Sequence, residues 1–332
     1  MKKYFKKGLV LFVCLSFLFS ANGCGQEPAP ITKSSFKLNT VVTITIYDSD
    51  DTALLDEAMN LCDYYENLFS RTRDGSEIYR VNHGTLTEVS DSTAQLLEIA
   101  LSYSKASNGR FDPTIGAVSS LWDFHAEDPV LPDETQLNLA LPKVDYQKVH
   151  LAGNQITLED KGIILDLGAV AKGYIADRIK EYLVQKGVTS AVIDLGGNIL
   201  CIDSRPDGSP FRVGIRKPFS EDAKTSVESL EITDRSVVTS GIYERSFELD
   251  GILYHHLLDP DTGYPCNNQL ASVTIISDHS VDGDALSTTC YLLGLEEGLK
   301  FVNAQENVQA IFITKDNELY YSDSLSGAIS AQ

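Results

Sequence analysis

Positive charge is scarce in this 332-residue chain: 27 Lys and Arg face 47 Asp and Glu, for a formal net charge of −20. Such an acidic chain is repelled by phosphate backbones and anionic lipid surfaces, which argues against nucleic acid as a partner and against electrostatic adhesion to a membrane. Long apolar runs are equally scarce. One extends from Leu9 to Phe19, behind Lys2, Lys3, Lys6 and Lys7, and it is too short to span a bilayer. There is no internal repeat and no low-complexity tract, which sets aside the repeat architectures. Beyond Cys24 only Cys62, Cys201, Cys266 and Cys290 occur, none with the spacing of a metal site. Cys62 and Cys290 fall in apolar helical patterns, so the expectation is buried free thiols rather than disulfides.

What is present begins with a targeting segment. A charged start followed by a short apolar stretch reads as a secretory signal over residues 1–23, and Gly23-Cys24 looks like a bacterial lipoprotein cleavage site at which Cys24 receives the lipid. Residues 24–35, polar and carrying Pro28 and Pro30, read as a tether. Removing the signal takes four lysines with it, so the mature chain is more acidic still. Two or more acyl chains suffice for stable anchoring, so the expected location is outside the cytoplasm, lipid-anchored to the bacterial cell membrane. About 300 mature residues remain, enough for one large domain or two lobes.

Period-two alternation marks Val41–Tyr47 as a strand, and apolar residues at 3- and 4-residue steps mark helices over Ala53–Leu68 and Ser92–Ser107. Short strands are predicted at 147–151, 155–158, 163–165, 191–194, 199–202, 212–215, 227–232, 236–239, 246–249, 270–276 and 310–314. Strand runs with segregated helices indicate an α+β fold with mixed sheets.

Two segments carry the chemistry. Asp166-Leu-Gly-Ala-Val-Ala-Lys-Gly-Tyr174 follows a strand-like run and opens a helix read from Ile175, Ile179 and Leu183, which stops at Lys186-Gly187. Free amides and Lys172 at the positive end of that helix would seat a phosphate. Gly283-Asp-Ala-Leu-Ser-Thr288 places Asp284 and Thr288 on one helical face, oxygen ligands of the kind that suit Mg²⁺ beside substrate phosphates, with Asp282 as the expected helix cap. Two adjacent histidines, His255 and His256, should point to opposite faces of an extended segment.

These residues are also where the chain resembles a known family. With Ser70-Arg-Thr-Arg-Asp-Gly-Ser-Glu77, Gly109-Arg-Phe-Asp-Pro-Thr-Ile-Gly116, Asp194-Leu-Gly-Gly-Asn198, Thr239-Ser-Gly-Ile-Tyr-Glu244 and His255-His-Leu-Leu-Asp-Pro-Asp-Thr-Gly-Tyr-Pro265, they form seven collinear segments similar to the FAD:protein FMN transferases, the ApbE family. The resemblance implies an ApbE-like, T-fold-related domain over 36–322. It also implies Mg²⁺ held by Ala169 (through its carbonyl), Asp284 and Thr288, and His256 as the base that takes a proton from an acceptor hydroxyl. FAD contacts implied in the same way are Leu38, Thr72, Arg110, Phe111, Asp112, Asp166, Lys172 and Leu258. This sequence has Leu38 where relatives often have Met, Thr72 where they often have a flavin-stacking Tyr, and Ile242 where many have Asp.

The implied activity is Mg²⁺-dependent transfer of FMN from FAD to a Ser or Thr hydroxyl of an extracytoplasmic protein, releasing AMP. Acceptors would carry a Ser/Thr-Gly-Ala-Ser/Thr-like motif. The alternatives are Mg²⁺-dependent hydrolysis of FAD to FMN and AMP, and a flavin-binding lipoprotein without catalysis. Asp323-Ser-Leu-Ser-Gly-Ala-Ile329 resembles the acceptor motif but lacks its final hydroxyl, so residues 323–332 are expected to form a flexible tail able to act as a pseudosubstrate.

Overall fold

The structure, a computed structural model, describes residues 29–222 and 225–329; the signal segment and Cys24 lie outside these. Eight strands form one sheet: β1 (Ile31–Lys37), β2 (Thr40–Ile46), β5 (Ala191–Leu195), β6 (Asn198–Ile202), β9 (Ser236–Gly241), β12 (Leu270–Ser277), β13 (Gln309–Thr314) and β14 (Leu319–Tyr321), in that spatial order. Every neighbouring pair is antiparallel. All eight residues of β12 are buried, as expected of a central strand covered on both faces.

One face carries the helices α1 (Thr52–Phe69), α6 (Gly168–Gln185) and α7 (Ser280–Leu293), with α3 (Asp91–Ala106) packed on α6 and α7 and α8 (Leu295–Asn303) beside α7. Val42, Ile44, Ile46, Ile193, Leu195 and Leu200 pack there against Ile175, Ile179 and Leu183 of α6. The opposite face is covered by the hairpin of β7 (Phe211–Arg216) and β8 (Ser226–Ile232), whose Phe211, Val213 and Ile215 meet Ile276, Ile311 and Ile313. Shorter elements complete the chain: α2 (Glu77–Asn82), α4 (Gly116–Ser119), α5 (Glu134–Ala140), and the hairpins β3 (Val149–Ala152)/β4 (Gln155–Leu158) and β10 (Ser246–Leu249)/β11 (Ile252–His255).

The α+β expectation holds, and the structure revises four local readings. The domain starts earlier than the tether reading placed it, because Ile31–Lys37 pairs along its whole length with β2. Thr32 and Ser34 spend their hydroxyls on Thr45 and Thr43 (3.0 and 2.8 Å), so a polar stretch becomes an edge strand. In place of the strand predicted at 163–165, only Ile163 and Ile164 make isolated bridges. Helix α3 starts at Asp91, one residue before the predicted Ser92, because the Ser90 hydroxyl accepts the Thr93 amide and caps it there. Finally, Asp323–Ile329 is not a loose tail: it forms α9, with Leu325 in the core and the Ser324 hydroxyl donating to the Val308 carbonyl at 2.9 Å. All four cysteines in the described residues are buried and free, as expected.

Candidate active site

Helices α6 and α7 touch at Gly173. A Cβ there would lie 2.2 Å from the Ser280 carbonyl oxygen, so only glycine lets the two backbones meet. Two carboxylates fix the crossing from opposite sides. Asp177 of α6 accepts the amides of Ser280 (2.8 Å) and Val281 (3.0 Å), capping α7 from a different helix. Asp284 of α7 accepts the Gly173 amide at 2.6 Å. The expected cap, Asp282, is engaged elsewhere, accepting the Tyr103 hydroxyl at 2.7 Å.

Asp284 is 5% exposed and also accepts from the Asn198 side-chain amide at 3.1 Å. The Asn198 side-chain oxygen in turn takes the Ser280 hydroxyl at 2.7 Å, so Asp284 is oriented by a fully engaged neighbour. Burial raises the pKa of Asp284, while the charge of Lys172 and the two donors pull it down. It forms no ion pair among the described residues. Thr288 lies one turn further along α7, half-buried, its hydroxyl 3.2 Å from that of Ser240, which also meets Ser287 at 2.9 Å. Ala169 sits half-buried in the first turn of α6.

A carboxylate, a hydroxyl and a backbone carbonyl would make an all-oxygen donor set, the kind that suits a hard cation such as Mg²⁺ that retains places for phosphate and water. A buried carboxylate without a paired cation also favours such an ion, because an uncompensated charge is costly in a desolvated position. No group of three or more His, Cys, Asp or Glu among the described residues offers a competing metal site.

The phosphate seat differs from expectation. Three amides at the start of α6 are already used: Gly168 donates to Asp166 Oδ1 (2.9 Å), and Val170 and Ala171 both donate to the Leu167 carbonyl. Lys172 is therefore the principal donor left for an anion. Its side chain has no hydrogen bond or ion pair among the described residues, yet its charge acts on Asp284, Asp194 and His256. Asp166 is held by Arg71 (Nε to Oδ2, 2.7 Å) and by the Ser119 hydroxyl (3.3 Å), while Arg71 also donates to the Ser120 hydroxyl at 2.9 Å. One arginine thus joins two of the sequence segments to the end of α4; its place within Ser70–Glu77 was the only sign of it in the sequence.

The two histidines separate as alternation requires. The His256 amide donates to the Arg245 carbonyl (3.1 Å), and its Nδ1 lies 3.3 Å from that same oxygen. Nδ1 therefore carries the proton and Nε2 the lone pair, the arrangement a proton acceptor needs. Burial, then the charge of Arg245, pushes the pKa of His256 down to about 3, so the imidazole is neutral at physiological pH. His255 is 4% exposed, sets its ring edge-on to Tyr291 at 5.8 Å, and borders a separate apolar groove with Phe219, Ile252 and Tyr264.

The remaining flavin contacts implied by the sequence are divided. Leu38 occupies the β1–β2 turn at φ 54°, an unusual conformation for leucine. That turn abuts the Asp194–Asn198 turn, where a Cβ on Gly196 would lie 2.0 Å from the Thr40 hydroxyl. Thr72 is exposed beside Arg71, available to a ligand. Arg110 pairs with Asp259 (3.3 Å) and Asp261 (3.2 Å), tying its loop to the one after His256. The other three are engaged within the protein. The Phe111 side chain belongs to the main core and that of Leu258 packs with Val118, Trp122 and Leu137. Asp112 spends Oδ1 on the Thr114 amide and hydroxyl and Oδ2 on the Tyr146 amide, which makes it a brace for the loop.

A family model described as the ApbE family matches residues 38–312. The chain belongs to the ApbE family. Among curated relatives, an FAD:protein FMN transferase of Klebsiella pneumoniae is 37% identical over 87% of this chain and 90% of its own length. One of Treponema pallidum, of the same name, is 34% identical over 95% and 92%. Among solved structures, the flavin transferase ApbE of Vibrio cholerae superposes with a TM-score of 0.81 at 28% identity, covering 90% of this chain and 99% of its own. The fold of this ApbE-family chain is thus that of its relatives, and all seven sequence segments lie at least partly within the matched range.

Proposed function

We propose that this protein transfers FMN from FAD to a Ser or Thr hydroxyl of another protein outside the cytoplasm, with Mg²⁺ and with release of AMP. The observation that carries this reading is that Lys172, unpaired among the described residues, acts electrostatically on both Asp284 and a neutral His256. An anion seat, a carboxylate suited to a metal and a proton acceptor therefore share one neighbourhood. The names of the relatives supply the substrate class.

In the transfer, the acceptor oxygen bonds to the FMN phosphorus and the bond from that phosphorus to the bridging oxygen breaks. AMP leaves with the bridging oxygen, and the acceptor's proton passes to His256 Nε2. A hydroxyl is a poor nucleophile unaided, so this proton acceptor matters. Ala169, Asp284 and Thr288 would hold Mg²⁺, which when bound neutralises charge on the diphosphate and the departing AMP. Lys172 holds the nucleotide, and Asp166, braced by Arg71, shapes the turn that presents it. Cys24 would carry the lipid. With β1 starting at Ile31, six intervening residues keep the domain within roughly 20 Å of the bilayer.

The test uses the mature protein with FAD, Mg²⁺ and an acceptor domain bearing a Ser-Gly-Ala-Thr sequence. Intact-mass spectrometry should show the acceptor heavier by one FMN less water. Free FMN and AMP with an unchanged acceptor would select hydrolysis instead.

A further inference from the structure

Arg245 stands out among the cations of this chain. It is half-buried in the segment between β9 and β10, and its side chain has no hydrogen bond or ion pair among the described residues. Its neighbours show the contrast: Arg216 pairs with Glu244 (3.5 Å) and lies over the Tyr243 ring at 5.4 Å. In a chain with 47 carboxylates for 27 basic side chains, a part-buried guanidinium without a partner is a donor array kept open. The charged and titratable groups acting on His256 are Arg245, Lys172 of α6 and His255. Two unpaired cations thus reach one imidazole from different elements.

We propose that Arg245 is an anion-binding residue of the site: its guanidinium holds the dinucleotide phosphate next to His256, while its carbonyl orients the imidazole. This rests on the functional reading above. The planar fork of an arginine matches two phosphate oxygens, which a point charge such as Lys172 does not. The dual role links binding to chemistry. Before the substrate arrives, Arg245 and Lys172 help keep His256 unprotonated. A bound phosphate offsets those charges, so the imidazole becomes a stronger base once the group to be attacked is in place.

The experiment compares full-length wild type, Arg245→Met and Arg245→Lys, all with Mg²⁺ and each checked for folding by its thermal transition. FAD affinity is read from flavin fluorescence. Arg245→Met should bind FAD roughly tenfold to a hundredfold more weakly, with riboflavin, which has no phosphate, unaffected. Arg245→Lys should recover part of the loss. The acid limb of kcat/KM should lie at higher pH in Arg245→Met than in the wild type, because the imidazole loses the opposing charge of Arg245 while keeping its burial. A folded Arg245→Met with wild-type FAD affinity and an unmoved acid limb would overturn the assignment of Arg245 alone. A wild type that neither binds FAD nor transfers FMN would overturn the functional reading beneath it.

Discussion

At the scale of single residues, the account rests on which of two adjacent histidines does the chemistry. His256 faces Arg245 and Lys172 with its Nε2 lone pair free, whereas His255 is enclosed against Tyr291. Replacing His256 with Ala should lower transfer by roughly 10²- to 10⁴-fold while FAD still binds, and His255→Ala should be much milder. The reverse ranking in single-turnover assays would show the wrong histidine to have been chosen. Asp284→Ala removes the one formal negative charge of the proposed metal set. It should abolish the Mg²⁺ dependence of FAD binding; unchanged FAD titrations with and without Mg²⁺ would rule the site out. Asp284, Thr288, Lys172 and His256 could be singled out in the sequence because each sits inside a recognisable segment. The roles of Arg71, Asn198 and Asp177 could not be, because each acts on a partner far away in sequence: Asn198 meets Asp284 across 86 positions and Asp177 caps α7 across 103. A folded backbone brings such pairs together, and no local pattern announces them.

At the scale of elements, the site depends on how closely α6 and α7 cross. Gly173 permits the contact and donates the amide that holds Asp284, so position and ligand orientation are set by one residue. Gly173→Ala forces the Cβ against the Ser280 backbone and should cost about 1–3 kcal/mol of stability. It should also weaken Mg²⁺-dependent FAD binding; a variant that is less stable yet binds FAD normally would separate the crossing from the site. A strand whose side chains alternate between core and solvent, such as β2, was readable from period-two patterning. β1 was missed because Thr32, Lys33, Ser34 and Ser35 look like linker, and an edge strand satisfies them with cross-strand hydroxyls and ion pairs to α1. The C-terminal segment misled in the opposite way. Its small residues suggested a mobile tail, but one leucine, Leu325, is enough to seat it on the sheet. The acceptor-like sequence there is consequently held on the core, which weighs against the pseudosubstrate reading.

For the whole molecule, a net charge of −20 surrounds a site in which Lys172 and Arg245 are left unpaired, so affinity for an anionic dinucleotide comes from the local arrangement and not from the overall field. Buried titratable groups also give stability a pH dependence. His255 titrates near 6.5 when unfolded and is pushed down to about 4 by burial. Between those values the unfolded chain binds the extra proton, so this contribution to stability is lost as pH falls from 6.5 toward 4. Asp112, Asp177, Asp194 and Asp284 are all raised by burial and act with the opposite sign, so the wild-type curve alone is a mixture. Comparison with His255→Gln isolates one group. Between about pH 7 and pH 5 the wild type should lose about 2 kcal/mol more than the variant in denaturant titrations. Parallel curves would mean that His255 is not held neutral.

The central claim is that one site joins FMN to a protein hydroxyl and releases AMP in the same event. The most direct measurement is a single-turnover reaction with FAD, Mg²⁺ and acceptor domain, in which AMP released and FMN bound to denatured acceptor are quantified in the same samples. Equal amounts at every time point, with neither product formed by His256→Ala, are the predicted result. AMP accumulating ahead of acceptor-bound FMN, or undiminished in His256→Ala, would contradict the account.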